Sequence, residues 1–142
     1  MDRGNSEDPP ARKILVCGSR NWTDEETIRS VLSTYPSSTV VVHGACNLDL
    51  YRRTGKRVGA DLLAEKVAIE LGMEVIPYPA DWKLYGKAAG PIRNQQMLDR
   101  EYPDEVLGFI QDTTRARGTL GMLKLAKARG KPCRAWRPTS GG

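Results

Sequence analysis

Five short apolar runs, each closed by a turn residue and followed by a stretch of helical periodicity, constrain this chain more than anything else in it. They are KILVC (Lys13–Cys17), TVVV (Thr39–Val42), MEVI (Met73–Ile76), VLGFI (Val106–Ile110) and CRAW (Cys133–Trp136). Runs this short, bounded by Gly or Pro, read as strands rather than buried helices. Those without polar–apolar alternation suit a parallel sheet covered on both faces. The intervening segments read as helices. Thr23, with Glu26 completing a capping box, starts one whose inward face is Ile28, Val31, Leu32 and Tyr35. Gly59-Ala60-Asp61 opens a second, with Leu63, Ala64, Val67 and Leu71 apolar and Gly72 at its end. Pro91 sits in the first turn of a third, which carries Arg93, Asn94 and Met97. Gly118-Thr119 opens a fourth, with Leu120, Leu123 and Ala126 inward and Gly130 closing it. The order β-α-β-α-β-α-β-α-β predicts an α/β fold of three layers, α/β/α, around a mostly parallel five-stranded sheet.

A length of 142 residues suits one domain, placed at 13–137. The polar start, 1–12 with Pro9-Pro10, and the PTSGG end, 138–142, are expected to be flexible tails. Residues 46–58, rich in Arg52, Arg53, Lys56 and Arg57, read as a long basic insert loop. No apolar run approaches the ~20 residues of a membrane helix, which excludes a helical spanning protein. MDRGNSEDPP offers no apolar signal core. Cys17, Cys46 and Cys133 are widely spaced and odd in number, so a disulfide scaffold is not expected and a cytoplasmic location is. Charge is uneven. Residues 112–142 hold eight Lys/Arg against Asp112 alone, a local +7 in a chain of net +5, so the other 111 residues sum to −2. That asymmetry favours an anionic partner, although Lys124 and Lys127 equally suit a solvated helix face.

In open α/β sheets, ligands bind beyond the carboxyl ends of the strands. The unusual residues of this chain fall there. Gly18-Ser19-Arg20 follows the first strand, His43-Gly44-Ala45 the second, Tyr78–Trp82 the third, and Asp112–Thr119 the fourth. Each leads to a helix start, where free N–H groups and the macrodipole favour anions. Glycines at 18, 44, 90 and 118 permit close approach of a phosphate, though each alone is also an ordinary turn residue. Arg20, Arg93, Arg115 and Arg117 are candidate phosphate clamps. Asp61 either caps its helix or accepts from a ribose. Asp81 beside Trp82 suits a base or sugar edge with the indole stacked on a ring, while Trp22 and Trp82 equally fit a half-buried core. His43 and Cys46 form an HxxC pair without the further ligands zinc requires, so no metal site is expected. Ser19 and His43 are possible neighbours, but no Ser-His-Asp set assembles. There is no GxxxxGK[ST] phosphate loop and no GxGxxG.

Taken together, ILVCGSRNWTD (Ile14–Asp24), VVHGA (Val41–Ala45), GAD (Gly59–Asp61), PYPADW (Pro77–Trp82), GKAAGPIRNQQM (Gly86–Met97) and RGT (Arg117–Thr119) resemble a YspA-type, cpYpsA-related member of the SLOG superfamily. That superfamily includes DNA-processing protein A and the lonely-guy cytokinin-activating enzymes. The resemblance spans about residues 13–136 and implies a Rossmann-like fold that binds nucleotides or nucleotide-derived ligands. It also implies a pocket built from Gly18, Ser19 and Arg20, Gly59 and Asp61, Asp81, Gly90, Arg93 and Asn94, and Gly118 and Thr119. Two departures stand out. The lonely-guy PGGxGTxxE signature is replaced by TTRARGTLGM, with Met122 in place of its glutamate. The insert NLDLYRRTGKRV (Asn47–Val58) separates HG from GAD, where relatives need a few residues.

These features predict binding, as a sensor or sequestering module, of a nucleotide or nucleotide-derived phosphorylated ligand, without a further cofactor. A nucleotide hydrolase acting on an N-glycosidic bond, with Asp61 or Asp81 as its carboxylate, is the alternative. A nucleic-acid binder using the basic carboxyl-terminal segment ranks third, for want of aromatic residues interleaved with the basic ones. Homodimer formation is an expectation carried by the resemblance alone.

Overall fold

The computed structural model describes residues 12–112 and 116–139. The expected tail up to residue 11, the candidate clamp Arg115 and residues 140–142 lie outside them. The strands are β1 (Lys13–Gly18), β2 (Val40–His43), β3 (Glu74–Pro77), β4 (Glu105–Phe109) and β5 (Cys133–Trp136). They form one sheet in the order β3-β2-β1-β4-β5, and every neighbouring pair is parallel. Val16 pairs with His43 on one side and Leu107 on the other, and Gly18 pairs with Phe109. All five carboxyl ends therefore face one edge.

Both faces of the sheet are buried, which is why β1 reads as an unbroken apolar run. Ile14 and Val16 join Val41, Leu107 and Phe109 in a core with Ile28, Val31 and Leu32 of α1 (Glu25–Leu32) and with α3 (Ala60–Glu70). Leu15 and Cys17 point the other way, into a core with Val42, Val106, Met97, Met122 and Ala126. The helices of that face are α5 (Ala89–Glu101) and α6 (Arg117–Ala128). The three-layer α/β/α architecture expected from the sequence is the one observed, and it is Rossmann-like. No helix among the described residues is long and apolar enough to cross a membrane.

Several local readings need correction. The cap of α1 is Asp24, not Thr23: Asp24 Oδ1 accepts from the Thr27 amide at 3.1 Å and Oδ2 from the Thr27 hydroxyl at 2.6 Å. A carboxylate accepts both bonds at once and complements the helix dipole, which a threonine hydroxyl does less well. Asp24 Oδ2 also accepts from the Thr139 amide at 2.9 Å, so that part of the expected carboxyl-terminal tail is tied down. Leu120 is exposed, and Thr119, Met122, Leu123 and Ala126 form the inward face of α6. Residues 46–58 are not all loop. They contain α2 (Leu48–Thr54), flanked by Asn47 and Gly55 in the left-handed region at φ 67° and 74°. Between β3 and α5, α4 (Trp82–Tyr85) is capped by Asp81 and followed by a 3-10 turn over Gly86–Ala88. The two tryptophans also separate. Trp22 is fully buried and meets Phe109 edge-on at 5.4 Å, and Phe109 stacks on Trp136 at 5.2 Å; Trp82 is half exposed.

The amino-terminal end of α3 presses on β1 closely enough to exclude any side chain at Gly18. A Cβ there would lie 2.3 Å from Ala60 Cβ and 2.7 Å from the Phe109 carbonyl oxygen. Gly18→Ala is therefore expected to destabilise the fold by about 1–3 kcal/mol through backbone displacement. Urea unfolding monitored by tryptophan fluorescence checks this; an unchanged midpoint would show that α3 can move away freely.

Candidate functional site

The strand order reverses direction between β1 and β4, since the chain runs outward from β1 to β3 and returns to the other side. Such a switch point leaves a crevice at the carboxyl ends. A cavity of about 990 Å3 occupies that position. Gly18, Ser19 and Arg20 line it from β1, and Gly44 and Asp61 from β2 and α3. Trp82, Gly90, Arg93 and Asn94 line it from α4 and α5, and Arg117, Gly118 and Thr119 from the start of α6. Most sequence-derived candidates thus come together, although they are far apart in the chain.

Three do not line it. His43 is fully buried behind the wall, where its Nδ1 accepts from the Ala45 amide at 3.0 Å and its Nε2 donates to Glu65 at 2.9 Å. Both ring nitrogens are therefore engaged, which is why His43 neither contacts the cavity nor pairs with Cys46. Gly59 serves the backbone: at φ 95° it begins α3, with the Arg20 carbonyl 2.8 Å from where a Cβ would sit. Asp81 is exposed and accepts from the Leu84 amide at 3.0 Å, so it caps α4 instead of facing the crevice. As a candidate catalytic carboxylate, Asp81 is displaced from the cavity by that capping bond.

Other wall residues were not among the expected ligand contacts. Cys46, Asn47 and Leu50 come from the insert, Asn21 follows Arg20, and Lys87 precedes α5. Asn47 carried a usable signal, since asparagine is enriched in left-handed backbone. Its Nδ2 donates to the carbonyls of Arg20 and Val58, both at 3.0 Å, and so ties the insert to the loop after β1. Val16, Met97, Met122 and Leu125 give the cavity an apolar floor; the resemblance marked Met122, at the position of the lonely-guy glutamate, while the other three are apolar core positions that carry no mark of this second duty.

The polar groups are held firmly. Ser19 Oγ accepts from the Gln111 amide at 2.9 Å, and its carbonyl accepts from the Ala60 amide at 3.1 Å, which locks together the loops after β1 and β4. Arg93 Nε donates to Asn94 Oδ1 at 2.9 Å, and its Nη1 donates to the carbonyls of Gly44 and Tyr78. Gly44 permits this approach, because a Cβ there would lie 2.6 Å from Arg93 Nη1. The helices α3, α5 and α6 each begin at the cavity with no side-chain cap. Aspartate caps α1, away from the cavity, and α4, whose first residue Trp82 borders it. Uncapped N-termini are favourable places for an anion.

Asp61 is the one carboxylate among the described lining residues. It is 4% exposed; Oδ2 accepts from the Cys46 amide at 3.1 Å, and Oδ1 has no hydrogen-bond partner. Burial, reinforced by Asp61, pushes the Cys46 thiol up to about 11 and raises Cys17 well above its ordinary value. Both thiols stay protonated at neutral pH and are poor nucleophiles. Asp61 is thus the strongest candidate in the wall for recognising a hydroxyl, since a buried carboxylate oxygen gains most from a donor.

A clasp behind the wall holds the insert. Glu65 accepts from His43 on one oxygen and from Arg57 Nη1 at 2.8 Å on the other. Arg57 also donates to the Leu62 carbonyl at 3.2 Å and lies over the Tyr51 ring at 4.7 Å.

Fold and site together define an α/β protein with an arginine-lined pocket at the switch point of a parallel sheet. The model of the YspA, cpYpsA-related SLOG family matches residues 12–85, from the start of β1 through α4. The Gene 61 protein of Mycobacterium phage D29 is 33% identical over 130 residues, a span covering 85% of this chain and 93% of the phage protein. The chain belongs to the YspA, cpYpsA-related SLOG family.

The clasp yields a pH prediction. The hydrogen bond from His43, then that from Arg57, lowers the Glu65 carboxyl to about 2, against roughly 4.3 when unfolded. A depressed carboxylate contributes stability that is complete above the unfolded value and lost as pH falls through the folded one. The stability gap between the wild type and Glu65→Gln, from guanidinium unfolding, should be full above about pH 5 and close toward pH 2. A gap independent of pH would show that Glu65 acts only by packing.

Proposed function

We propose that this chain binds a nucleotide or nucleotide-derived phosphorylated ligand at the carboxyl ends of its strands, as a sensing or sequestering module. One observation carries the reading: the cavity wall gathers Arg20, Lys87, Arg93 and Arg117 against the single carboxylate Asp61 among its described residues. None of those four cations forms an ion pair among the described residues. Cations gathered without carboxylate partners around a crevice attract an anion, and guanidinium groups suit phosphate. The apolar floor and the half-exposed Trp82 suit a base, and the unpartnered Asp61 oxygen suits a ribose hydroxyl. The volume lies in the range of small-ligand sites. Family membership is consistent with this ligand class.

Calorimetry against nucleoside monophosphates, triphosphates and dinucleotides tests it. At least one should bind with a dissociation constant below millimolar, and Arg20→Ala should weaken that binding by about tenfold, the order of one charge-assisted hydrogen bond. The Arg20 side chain makes no hydrogen bond or ion pair among the described residues, so the melting temperature of the variant should not move. Failure of the whole panel to bind better than millimolar overturns the reading.

Hydrolysis of an N-glycosidic bond is the second reading, favoured by the buried Asp61 carboxylate with its free oxygen. Met122, fully buried in the floor, stands where lonely-guy relatives place a glutamate, so a paired-carboxylate route lacks its second member at that position. Chromatography of nucleotide incubations decides between the readings. Binding alone leaves the nucleotide intact; free base that appears with the wild type and vanishes in Asp61→Asn would replace binding with catalysis.

A further inference from the structure

A second chamber, of about 540 Å3, opens beside the first. Arg20, Gly44, Cys46, Asn47, Trp82 and Arg93 belong to the walls of both, so the two adjoin at a waist that carries Arg20 and Arg93. Their chemistry differs. The inner chamber has the apolar floor of Val16, Met97, Met122 and Leu125. The outer one lacks those residues and is walled by α2, which adds Arg52 and Arg53 with Asp49 as its one carboxylate. Arg52 and Arg53 are exposed, and neither forms an ion pair among the described residues. Their helix is fastened at both ends, by Asn47 to the loop after β1 and by Arg57 to Glu65. The outer chamber is itself within the size range of a small-molecule site, larger than one phosphate requires.

Resting on the nucleotide reading above, we infer that the insert supplies a second anion subsite, which selects nucleotides bearing a further anionic group beyond the first phosphate. The base and sugar occupy the inner chamber. The first phosphate lies at the Arg20–Arg93 waist, and the additional group extends to Arg52 and Arg53. Two kinds of molecule share this chemistry. Nucleoside polyphosphates place more phosphate in the outer chamber, whereas pyrophosphate-linked dinucleosides place a second nucleoside there, with Trp82 available to stack on its ring.

Calorimetry of the full chain at fixed ionic strength tests the inference with AMP, ATP and diadenosine pyrophosphate, repeated with the guanine, cytosine and uracil counterparts. The extended member of the best-binding series should bind about tenfold more tightly than its monophosphate, or better. Preference for the triphosphate identifies added phosphate as the outer group, and preference for the dinucleoside identifies a second nucleoside. In Arg52→Ala/Arg53→Ala the ratio between extended ligand and monophosphate should collapse to within about threefold. Lys124→Ala/Lys127→Ala removes the same charge from exposed positions of α6 that line neither chamber, and should leave the ratio intact. Monophosphate binding without any preference, or a ratio unmoved by the arginine pair, or one lost equally in the lysine pair, overturns the second subsite and leaves the nucleotide reading standing. Absence of binding by every probe overturns both.

Discussion

Parallel pairing is the constraint on which the rest depends. Neighbouring strands that run the same way must be joined by crossovers, so every carboxyl end comes to one edge of the sheet and helices cover both faces. In this chain β1 lies at the centre; the chain steps outward from it to β2 and β3, then crosses back from β3 to place β4 on its other side. The crevice at that reversal is a consequence of topology, and the residues after β1, β2 and β4 have little choice but to border it. Ser19 shows how tightly that border is made: it joins the β4 loop through Gln111 and the start of α3 through Ala60. The absence of a Cβ at Gly18 lets α3 settle onto the strand.

Electrostatic imbalance then gives the crevice a character. Elsewhere on the molecule cations find carboxylates, as Lys13 does with Glu101, Arg134 with Glu105, and Lys66 with Glu25. At the cavity, Arg20, Lys87, Arg93 and Arg117 form no ion pair among the described residues, and α3, α5 and α6, which begin there, carry no side-chain caps. Both departures from ordinary satisfaction occur at one place and have the same sign. Asp61 is the counterweight, a buried carboxylate that holds the Cys46 amide and adds to the burial that raises the neighbouring thiols. In the proposed reading such a pocket attracts a phosphate and offers one acceptor to a donor group, while its protonated thiols are poor nucleophiles.

The insert between β2 and α3 is a built element. His43 is the hinge of its attachment: one ring nitrogen fixes the Ala45 amide, where the chain turns at φ 54°, and the other holds Glu65, which grips Arg57. The only histidine of the chain thus shapes the pocket from behind without entering it. The same clasp holds α2 where its arginines border the outer chamber.

Much of this was legible in the sequence. Strand positions, the three-layer order and the gathering of Gly18, Arg20, Gly44, Asp61, Arg93 and Thr119 at one edge follow from apolar runs and turn residues, because those signals are local and parallel pairing leaves few arrangements. The family motifs pointed to the same edge. Three matters were decided only by the tertiary structure. Asp24 outcompeted Thr23 as a cap because a carboxylate can also hold Thr139, distant in sequence. Asp81 turned from the cavity to the Leu84 amide, and His43 was buried against Glu65; a polar side chain next to a strand end has several partners within reach, and the surrounding packing selects one. The insert read as loop because a seven-residue segment, LDLYRRT, is too short to display an apolar stripe, and α2 is held by Asn47 and the Arg57–Glu65 pair instead of by a buried face of its own. Sequence fixes what each segment can do by itself; the choice among competing partners belongs to the packed chain.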